Sequence, residues 1–450
     1  SRSGEERICE VIAHEIAHQW FGNLVTPSDW KYLCLNESFA TFFGYGVVDH
    51  YHPRWGIWQQ FLGGQTAAAL VRDGLHETFA IEIPGGEHVV INTSTAPIIY
   101  SKGGSILRQI QGFIGKDNFR DGLTQYLKKH SYSNAASHHL WEAFEEVAEK
   151  PITKMMKSWI EQPGFPIVSA TRRGNTLVLR QQRFTYLPNI YGQLWDIPVN
   201  IRLFNTGGDT RMIQTVMDSE STEIELDSDT AAYKINAGQT GFYRVRYEDR
   251  KDFDALGRLI LDGTLPPEDR WGLQNDLFNL VRSGVAAIDD YLSFLSYYVN
   301  EDAYLPISSI AGNLFQSYLV FEGETKANIA AAGKSLLEKS LSRMGYEPLS
   351  DEPFTITLLR DQVIFPVVLY GSEDASQFFG EKFKALISGE SVHADILKSV
   401  MQVGALNGNN GTYTWLKERF ESSASEHERM NILAAFGCFS DRELIEKSLQ

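Results

Sequence analysis

Residues 11–22 have the sequence VIAHEIAHQWFG, in which His14 and His18 flank Glu15. Helical geometry separates the two histidines by one turn, so that their side chains lie about 40° apart around the axis. Two imidazoles at this spacing can bind the same metal ion, as in the His-Glu-x-x-His motif. The stretch therefore predicts a helix that supplies two metal ligands.

A third ligand is expected from Glu37, in the segment CLNESFA of residues 34–40, with 18 residues between it and His18. Chance alone would produce the two-histidine pattern in about 2% of chains of this composition, and in about 0.1% once a glutamate is required at this spacing. Two imidazoles and one carboxylate leave a tetrahedral Zn2+ with one open position for water, as in catalytic sites. The spacing predicts one catalytic zinc per chain.

The glutamate between the histidines has a different predicted role. Glu15 projects beside the metal rather than onto it, where its carboxylate can take a proton from zinc-bound water. The structural alternatives are a solvated Glu15, a pair of core histidines bonded to backbone carbonyls, and a Glu37 carboxylate that faces a helix dipole. Their coincidence is improbable, so we interpret Glu15 as the general base.

The same helix carries an apolar stripe beside the two histidines. Ile8, Val11, Ile12 and Ile16 recur at helical spacing along it. We expect this stripe to anchor the helix in the protein core, and Gly22 to end the helix.

Composition excludes several classes of protein. The 450 residues suggest two to four domains of about 150 residues, and the 43% of hydrophobic residues is ample for packed cores. The 57 acidic residues outnumber the 41 basic ones, and the net charge of -16 disfavours nucleic acid and anionic membrane surfaces as partners. No apolar run approaches the ~20 residues that span a bilayer. Three scattered cysteines argue against a disulfide framework, so we expect a reducing, cytoplasmic location.

The spacing of apolar residues divides the chain into three parts and predicts a multidomain α+β protein. Residues 1–165 are mainly helical in pattern, and the proline-rich sequence EQPGFPIVSA then interrupts the helical spacing. Residues 166–248 contain short runs such as TLVLRQQRF and FYRVRYE, which predict a small β-sandwich. Helical spacing returns over residues 249–450, where helix lengths alone favour an α-helical solenoid.

The segments HEIAHQWFGNLVT and CLNESFA resemble those of the zinc aminopeptidases of the aminopeptidase N type, within the gluzincins. Similar segments extend along the whole chain, among them RDGLHETFAIEIP, PIIYSKGGSILRQI, SWIEQPGFPIVSA and INAGQTGFYRVRYE. The resemblance implies a thermolysin-like zinc catalytic domain over residues 1–165, a β-sandwich over 166–248 and a HEAT- or armadillo-like helical solenoid over 249–450. It also implies a Zn2+ cofactor and a peptide substrate with a free amino terminus.

The resemblance assigns the same three zinc ligands and the same general base, and it adds a tyrosine. Tyr100, in the segment YSKGGS, matches the family's tyrosine that stabilises the tetrahedral intermediate. A phenol can donate a hydrogen bond to the developing oxyanion. From the sequence alone Tyr100 is one of 19 tyrosines, with packing as the default role. Lys102 and Gly103 fit the same motif, and a turn that starts a helix explains them equally well.

Three features depart from the family pattern. The family's strand whose glutamate binds the substrate amine would precede residue 1, so we expect the sequence to be an internal piece of a longer enzyme, with a truncated helical domain. Phe79, Ala80 and Ile81 stand where a His-Pro-Ile sequence is usual. Gly104 stands where the family's Lys-Gly-Ala-Ser has alanine, which adds backbone freedom near Tyr100.

The sequence thus predicts a zinc metallo-aminopeptidase that removes amino-terminal residues from peptides. A thermolysin-like endopeptidase is disfavoured because Thr41 stands where that family prefers aspartate, and the epoxide-hydrolysing relative is disfavoured because it lacks a β-sandwich. The alternative from a different class is a catalytically silent fragment or interaction protein that binds peptide or protein partners through the helical solenoid. Glu15 and Tyr100 favour the enzyme.

Overall fold

The computed structural model describes residues 2–83, 91–188 and 192–450, and its first part is mainly helical. Two short strands in this part, β1 (Val25–Pro27) and β2 (Ser133–Ala135), pair in parallel. Two π-helical segments, Leu62–Thr66 and Pro97–Lys102, precede helices directly. The α-helices are α1 (Arg2–Ala17), α2 (Cys34–Tyr51), α3 (Ile57–Phe61), α4 (Ala67–Asp73), α5 (Gly103–Ile114), α6 (Lys116–Lys129), α7 (Ser137–Ala148) and α8 (Ile152–Ile160).

Strands follow from Pro166 onward. They are β3 (Pro166–Arg173), β4 (Thr176–Arg183), β5 (Ile197–Asn205), β6 (Thr210–Met217), β7 (Ser221–Glu225), β8 (Thr230–Ile235) and β9 (Arg244–Tyr247). One sheet has the order β7-β4-β3-β9 and the other β6-β5-β8, with only the β3–β9 pairing parallel among these strands. Gly174 lies in the tight turn between β3 and β4. Its φ of 62° is a left-handed backbone conformation that few other residues adopt. Buried residues of both sheets belong to one apolar cluster, which also contains residues of the preceding helices.

Helices return after Asp249. They are α9 (Arg250–Leu261), α10 (Pro267–Arg282), α11 (Ile288–Phe294), α12 (Tyr304–Val320), α13 (Gly323–Met344), α14 (Phe354–Leu369), α15 (Glu373–Ile387), α16 (Leu397–Leu406), α17 (Asn410–Ser422), α18 (Glu426–Phe436) and α19 (Arg442–Ser448). By compactness the chain divides into one unit of residues 7–300 and another that contains residues 301–450 together with residues 1–6. From α12 to α18, each helix packs against helices one or two places away in the chain.

The predicted burial of the stripe on α1 is wrong. Ile8, Ile12 and Ile16 are 59%, 53% and 53% exposed, and Val11 is 37% exposed. The helix is anchored by small residues instead. The alanines that directly follow Ile12 and Ile16 in the chain are buried and face α2. Ile12 and Ile16 line an open apolar groove of about 600 Å³, whose far wall includes residues of α6. The apolar pattern thus predicted the wrong buried face of α1. The face that is buried is the one whose small side chains let the backbones of α1 and α2 pack closely.

The helix also ends earlier than predicted, at Ala17 rather than near Gly22. Bonds from Gln19 N to Ile16 O and from Trp20 N to Ala17 O tighten the chain into a turn. His18 therefore lies in this turn, immediately after the last helical residue.

No single helix among the described residues is long and apolar enough to cross a membrane. The pair α14 and α15 passes the test of length and composition together, but the two helices are bent by 111° relative to each other.

A buried ion pair lies within the unit that contains residues 301–450. The Arg360 guanidinium, on α14, donates to both carboxylate oxygens of Glu352 at 2.6 and 2.5 Å. It also donates to the carbonyls of Met344 and Gly345 at 2.9 Å, where α13 ends. Burial by itself would raise the pKa of the Glu352 carboxyl, but hydrogen bonds from Arg360 and Thr357 outweigh it and lower that pKa below its ordinary value.

We expect Arg360→Met to lower the free energy of unfolding by about 3–5 kcal/mol, because it leaves Glu352 and two helix carbonyls without their partner. The measurement is urea denaturation followed by circular dichroism. Since the folded-state pKa of Glu352 is lowered, the stabilisation is present above its ordinary pKa and is lost as the pH falls through the lowered value. The advantage of the unmodified protein should therefore shrink below about pH 4.

The matched control is Arg442→Met, because Arg442 is 91% exposed and pairs with Glu446 on the surface of α19. Its free energy of unfolding should barely change. Equal stability of the Arg360 and Arg442 variants at neutral pH would show that the buried pair contributes nothing.

Candidate functional site

The approach of α1 to α2 brings the predicted ligands together. Gly44 of α2 faces α1 so closely that an added Cβ would lie 3.3 Å from Glu10 O and 3.4 Å from His14 N. Ala13 and Ala17 of α1 are 7% and 6% exposed at this contact. Because α1 carries no large side chain here, its backbone lies directly against α2, and His14 is held beside it.

The turn after α1 orients the second histidine. Nδ1 of His18 lies 3.1 Å from the carbonyl oxygen of Phe21, which leaves Nε2 free to bind a metal. The ring of Phe21 stacks on Phe39 and Phe43 of α2, with centroids 4.5 and 5.3 Å apart. Gly22 continues the turn at φ 134°. The motif predicts the histidine, but nothing in it identifies Phe21 as the residue that orients the ring.

Glu37 lies in the first turn of α2, at the amino-terminal end of the helix where a carboxylate is favoured by the helix dipole. Its Oε2 is 3.3 Å from Nε2 of His14 and 3.6 Å from Nε2 of His18. Glu37 and Gly44 are seven residues apart, two helical turns, so they lie on the same face of α2. The helix contact at Gly44 therefore directs Glu37 at both imidazoles.

The three side chains fit a zinc ion. A tetrahedral ion with bonds of 2.0–2.2 Å holds its ligand atoms about 3.3–3.6 Å apart. One nitrogen from each histidine and one carboxylate oxygen of Glu37 all lie within 4.8 Å of each other, and all three residues are partly exposed. Within residues 2–83, 91–188 and 192–450 this is the one such group of three potential ligands. Partial exposure leaves room for a water or a substrate at the fourth position.

Glu15 is not a member of this ligand group. It is solvent-exposed on α1, and its charge acts on Tyr100, so both residues border the same space beside the ligands. A carboxylate near the ligands but outside the ligand set is the type of group from which a general base is expected.

Tyr100 joins the site from a distant part of the chain. It lies in the π-helical segment Pro97–Lys102, and its ring stacks on that of His14 at a centroid distance of 6.0 Å. Burial raises the pKa of the Tyr100 hydroxyl above its ordinary value, and the negative charges of Glu37 and Glu15 raise it further. Tyr100 therefore stays protonated and can donate a hydrogen bond.

A hydroxyl and a glycine place the tyrosine segment against α2. Ser38, next to Glu37, donates from Oγ to the carbonyl of Ile99 at 2.7 Å. A Cβ on Gly103 would lie 1.9 Å from the same Oγ, so only glycine permits this contact. Sequence reasoning missed Ser38, and it left Gly103 open as a simple turn residue. The contact joins residues 61 positions apart, which no local pattern reveals.

Comparison with known proteins supports the same family throughout the chain. Residues 1–159 match the Peptidase family M1 domain, and residues 232–450 match the ERAP1-like C-terminal domain. Leucyl aminopeptidase of Saccharolobus solfataricus is 30% identical over 443 residues, which cover 98% of this chain and 54% of the relative.

Two further relatives give the same result. Tricorn protease-interacting factor F2 of Thermoplasma acidophilum is 34% identical over 96% of this chain and 52% of its own length. Alanine/arginine aminopeptidase of Saccharomyces cerevisiae is 31% identical over 99% of this chain and 52% of its own length. The chain thus spans about half the length of the curated relatives it matches. It belongs to the M1 family of metallopeptidases and is of the aminopeptidase N type.

Proposed function

We propose that the protein is a zinc metallo-aminopeptidase that hydrolyses amino-terminal residues from peptides. The observation that carries this proposal is the convergence of His14, His18 and Glu37 at separations that suit one zinc ion. The names of the relatives support the substrate class, because leucyl aminopeptidase and alanine/arginine aminopeptidase act at the amino termini that their names imply.

His14, His18 and Glu37 would hold the metal. A bound zinc ion supplies a Lewis acid and lowers the pKa of its water. The Phe21 carbonyl, 3.1 Å from Nδ1 of His18, supports this by fixing the ring so that Nε2 faces the site. The contact of α2 with α1 at Gly44 keeps Glu37 in register with both histidines.

Glu15 and Tyr100 would perform the proton transfer and the charge stabilisation. The Glu15 carboxylate accepts a proton from the attacking water and passes it to the departing amine. The Tyr100 hydroxyl, whose raised pKa keeps it protonated, donates to the oxyanion as charge develops on the scissile carbonyl. Both groups border the open side of the ligand group.

We propose the finer organisation on the same basis. Residues 1–165 form a thermolysin-like catalytic domain, residues 166–248 a β-sandwich and residues 249–450 a HEAT- or armadillo-like solenoid. The two sheets between Pro166 and Tyr247 and the sequential packing of α12–α18 support this division. Free thiols at Cys9, Cys34 and Cys438 are compatible with the predicted cytoplasmic location.

The general base is tested by Glu15→Gln in the intact natural protein. The amide keeps the shape of the side chain but removes the proton acceptor, so the variant should retain zinc and lose at least about 10²-fold in kcat. Metal content and hydrolysis of an aminoacyl reporter are measured on the same sample. Glu5→Gln, an exposed glutamate on the same helix, is the matched control and should leave both unchanged. Retention of most of the rate by a zinc-loaded Glu15 variant would remove Glu15 from this role.

The tyrosine is tested by Tyr100→Phe. Loss of one oxyanion donor should lower kcat by about 10²–10³ while KM changes little, because the bond strengthens only in the transition state. Tyr126→Phe is the control, since Tyr126 is a tyrosine of α6 that is buried in the core and 2% exposed. If the two variants were equally active in steady-state assays, Tyr100 would be a packing residue.

A further inference from the structure

A buried ion pair lies directly beneath the tyrosine segment. Lys102 is the last residue of Pro97–Lys102, two positions after Tyr100, and its side chain is fully buried. Its Nζ is 2.9 Å from Oδ2 of Asp73 and donates to the carbonyl of Gly164 at 3.0 Å. A lysine is expected at the surface unless its charge is paired, so this burial needs a specific cause.

The partner carboxylate is fully buried as well. Asp73 ends α4, and its Oδ1 accepts hydrogen bonds from Oγ1 of Thr78 at 2.7 Å and from the backbone nitrogen of Gly164 at 3.1 Å. Lys102, Asp73 and Gly164 thereby close a ring of charge-assisted contacts. The two hydrogen bonds at Gly164 are directional, so together with the ion pair they fix the end of the tyrosine segment relative to α4 and to the start of the strands.

The tyrosine segment is thus held on both sides of Tyr100. Before it, the Ile99 carbonyl accepts from Ser38 at 2.7 Å. After it, Lys102 is fixed by Asp73 at 2.9 Å. The segment between these contacts is π-helical, a conformation that is rare and is found most often at functional sites. A π-helical turn is less favourable than an α-helical one, so contacts at its ends are needed to maintain it.

We propose that Lys102 and Asp73 are positioning residues that hold the Tyr100 hydroxyl at the reacting carbonyl, an inference that rests on the proposed role of Tyr100. Full burial keeps both side chains away from substrate and from the ligand group, so they act only through the segment that carries Tyr100. A shift of the tyrosine by about 1 Å would cost up to ~10²-fold in rate. The pair therefore contributes to kcat without contacting a reacting atom.

The test neutralises the two charges together in the intact natural protein. Lys102→Met with Asp73→Asn leaves no buried charge without a partner, whereas Lys102→Met alone does and is prone to unfold. Expected results are a loss of about 10- to 100-fold in kcat, a KM within about twofold, and unchanged zinc content. Asp73→Glu is the second variant, because it keeps both charges and shifts the carboxylate by one methylene group. It should also lower kcat.

A double-mutant cycle separates positioning from a general structural effect. In the Tyr100→Phe background the same neutralisation should lower kcat by less than about threefold, because the group that the pair positions is already absent. An equal fold loss in both backgrounds would overturn the proposal. The Tyr100→Phe variant alone tests the role of the tyrosine. A normal rate in that variant would show that the proposed role of Tyr100 fails, and the positioning proposal would fail with it.

A readout independent of zinc and activity completes the test. Protein labelled with 3-fluorotyrosine gives a fluorine resonance for Tyr100, assigned by its loss in Tyr100→Phe. This resonance should be single in the unmodified protein and should shift or split when the pair is neutralised.

The matched control is neutralisation of Arg244 and Asp276, another buried ion pair with a separation of 3.1 Å. It should lower stability and leave both kcat and the Tyr100 resonance unchanged. An unchanged Tyr100 resonance in the Lys102 and Asp73 variant, or a change as large in the control, would overturn the proposal.

Discussion

The direct contact of two helix backbones at Gly44 is the constraint on which the site depends. With no side chain at this position, α2 lies within van der Waals distance of Glu10 O and His14 N on α1. Two turns earlier on the same face of α2, Glu37 then meets both histidines. A larger residue at Gly44 would separate the helices, and the carboxylate would move away from the imidazoles. The approach of these three side chains to one another is thus a consequence of helix packing.

The sequence predicts the ligand group, because helical periodicity and residue type decide it locally. His14 lies on α1, His18 lies in the turn that directly follows α1, and Glu37 lies in the first turn of the next long helix. The order of helical and strand regions along the chain was also predicted, from the spacing of apolar residues alone. The stripe of Ile12 and Ile16 was misread, since burial of a helix face depends on which other element covers it, and α2 packs on the alanines instead.

The support of Tyr100 was not readable from the sequence, and the reason is physical. Its segment is held by Ser38 on one side and by the Lys102–Asp73 pair on the other, and these contacts join residues that are far apart in the chain. The motif around Tyr100 suggested a role only through family resemblance. A buried lysine has no local signature either, because its charge is compatible with the interior only when the fold delivers a carboxylate to it.

The central claim is that α1 and α2 together form one zinc site from two imidazoles and a carboxylate. X-ray absorption at the zinc edge of the metal-loaded protein, compared with that of Glu37→Ala, tests it most directly. The account predicts nitrogen and oxygen ligands at about 2.0–2.2 Å, no sulfur near 2.3 Å, and loss of one protein ligand together with weaker zinc binding in the variant. A sulfur ligand, or a spectrum and affinity unaffected by Glu37→Ala, would contradict it.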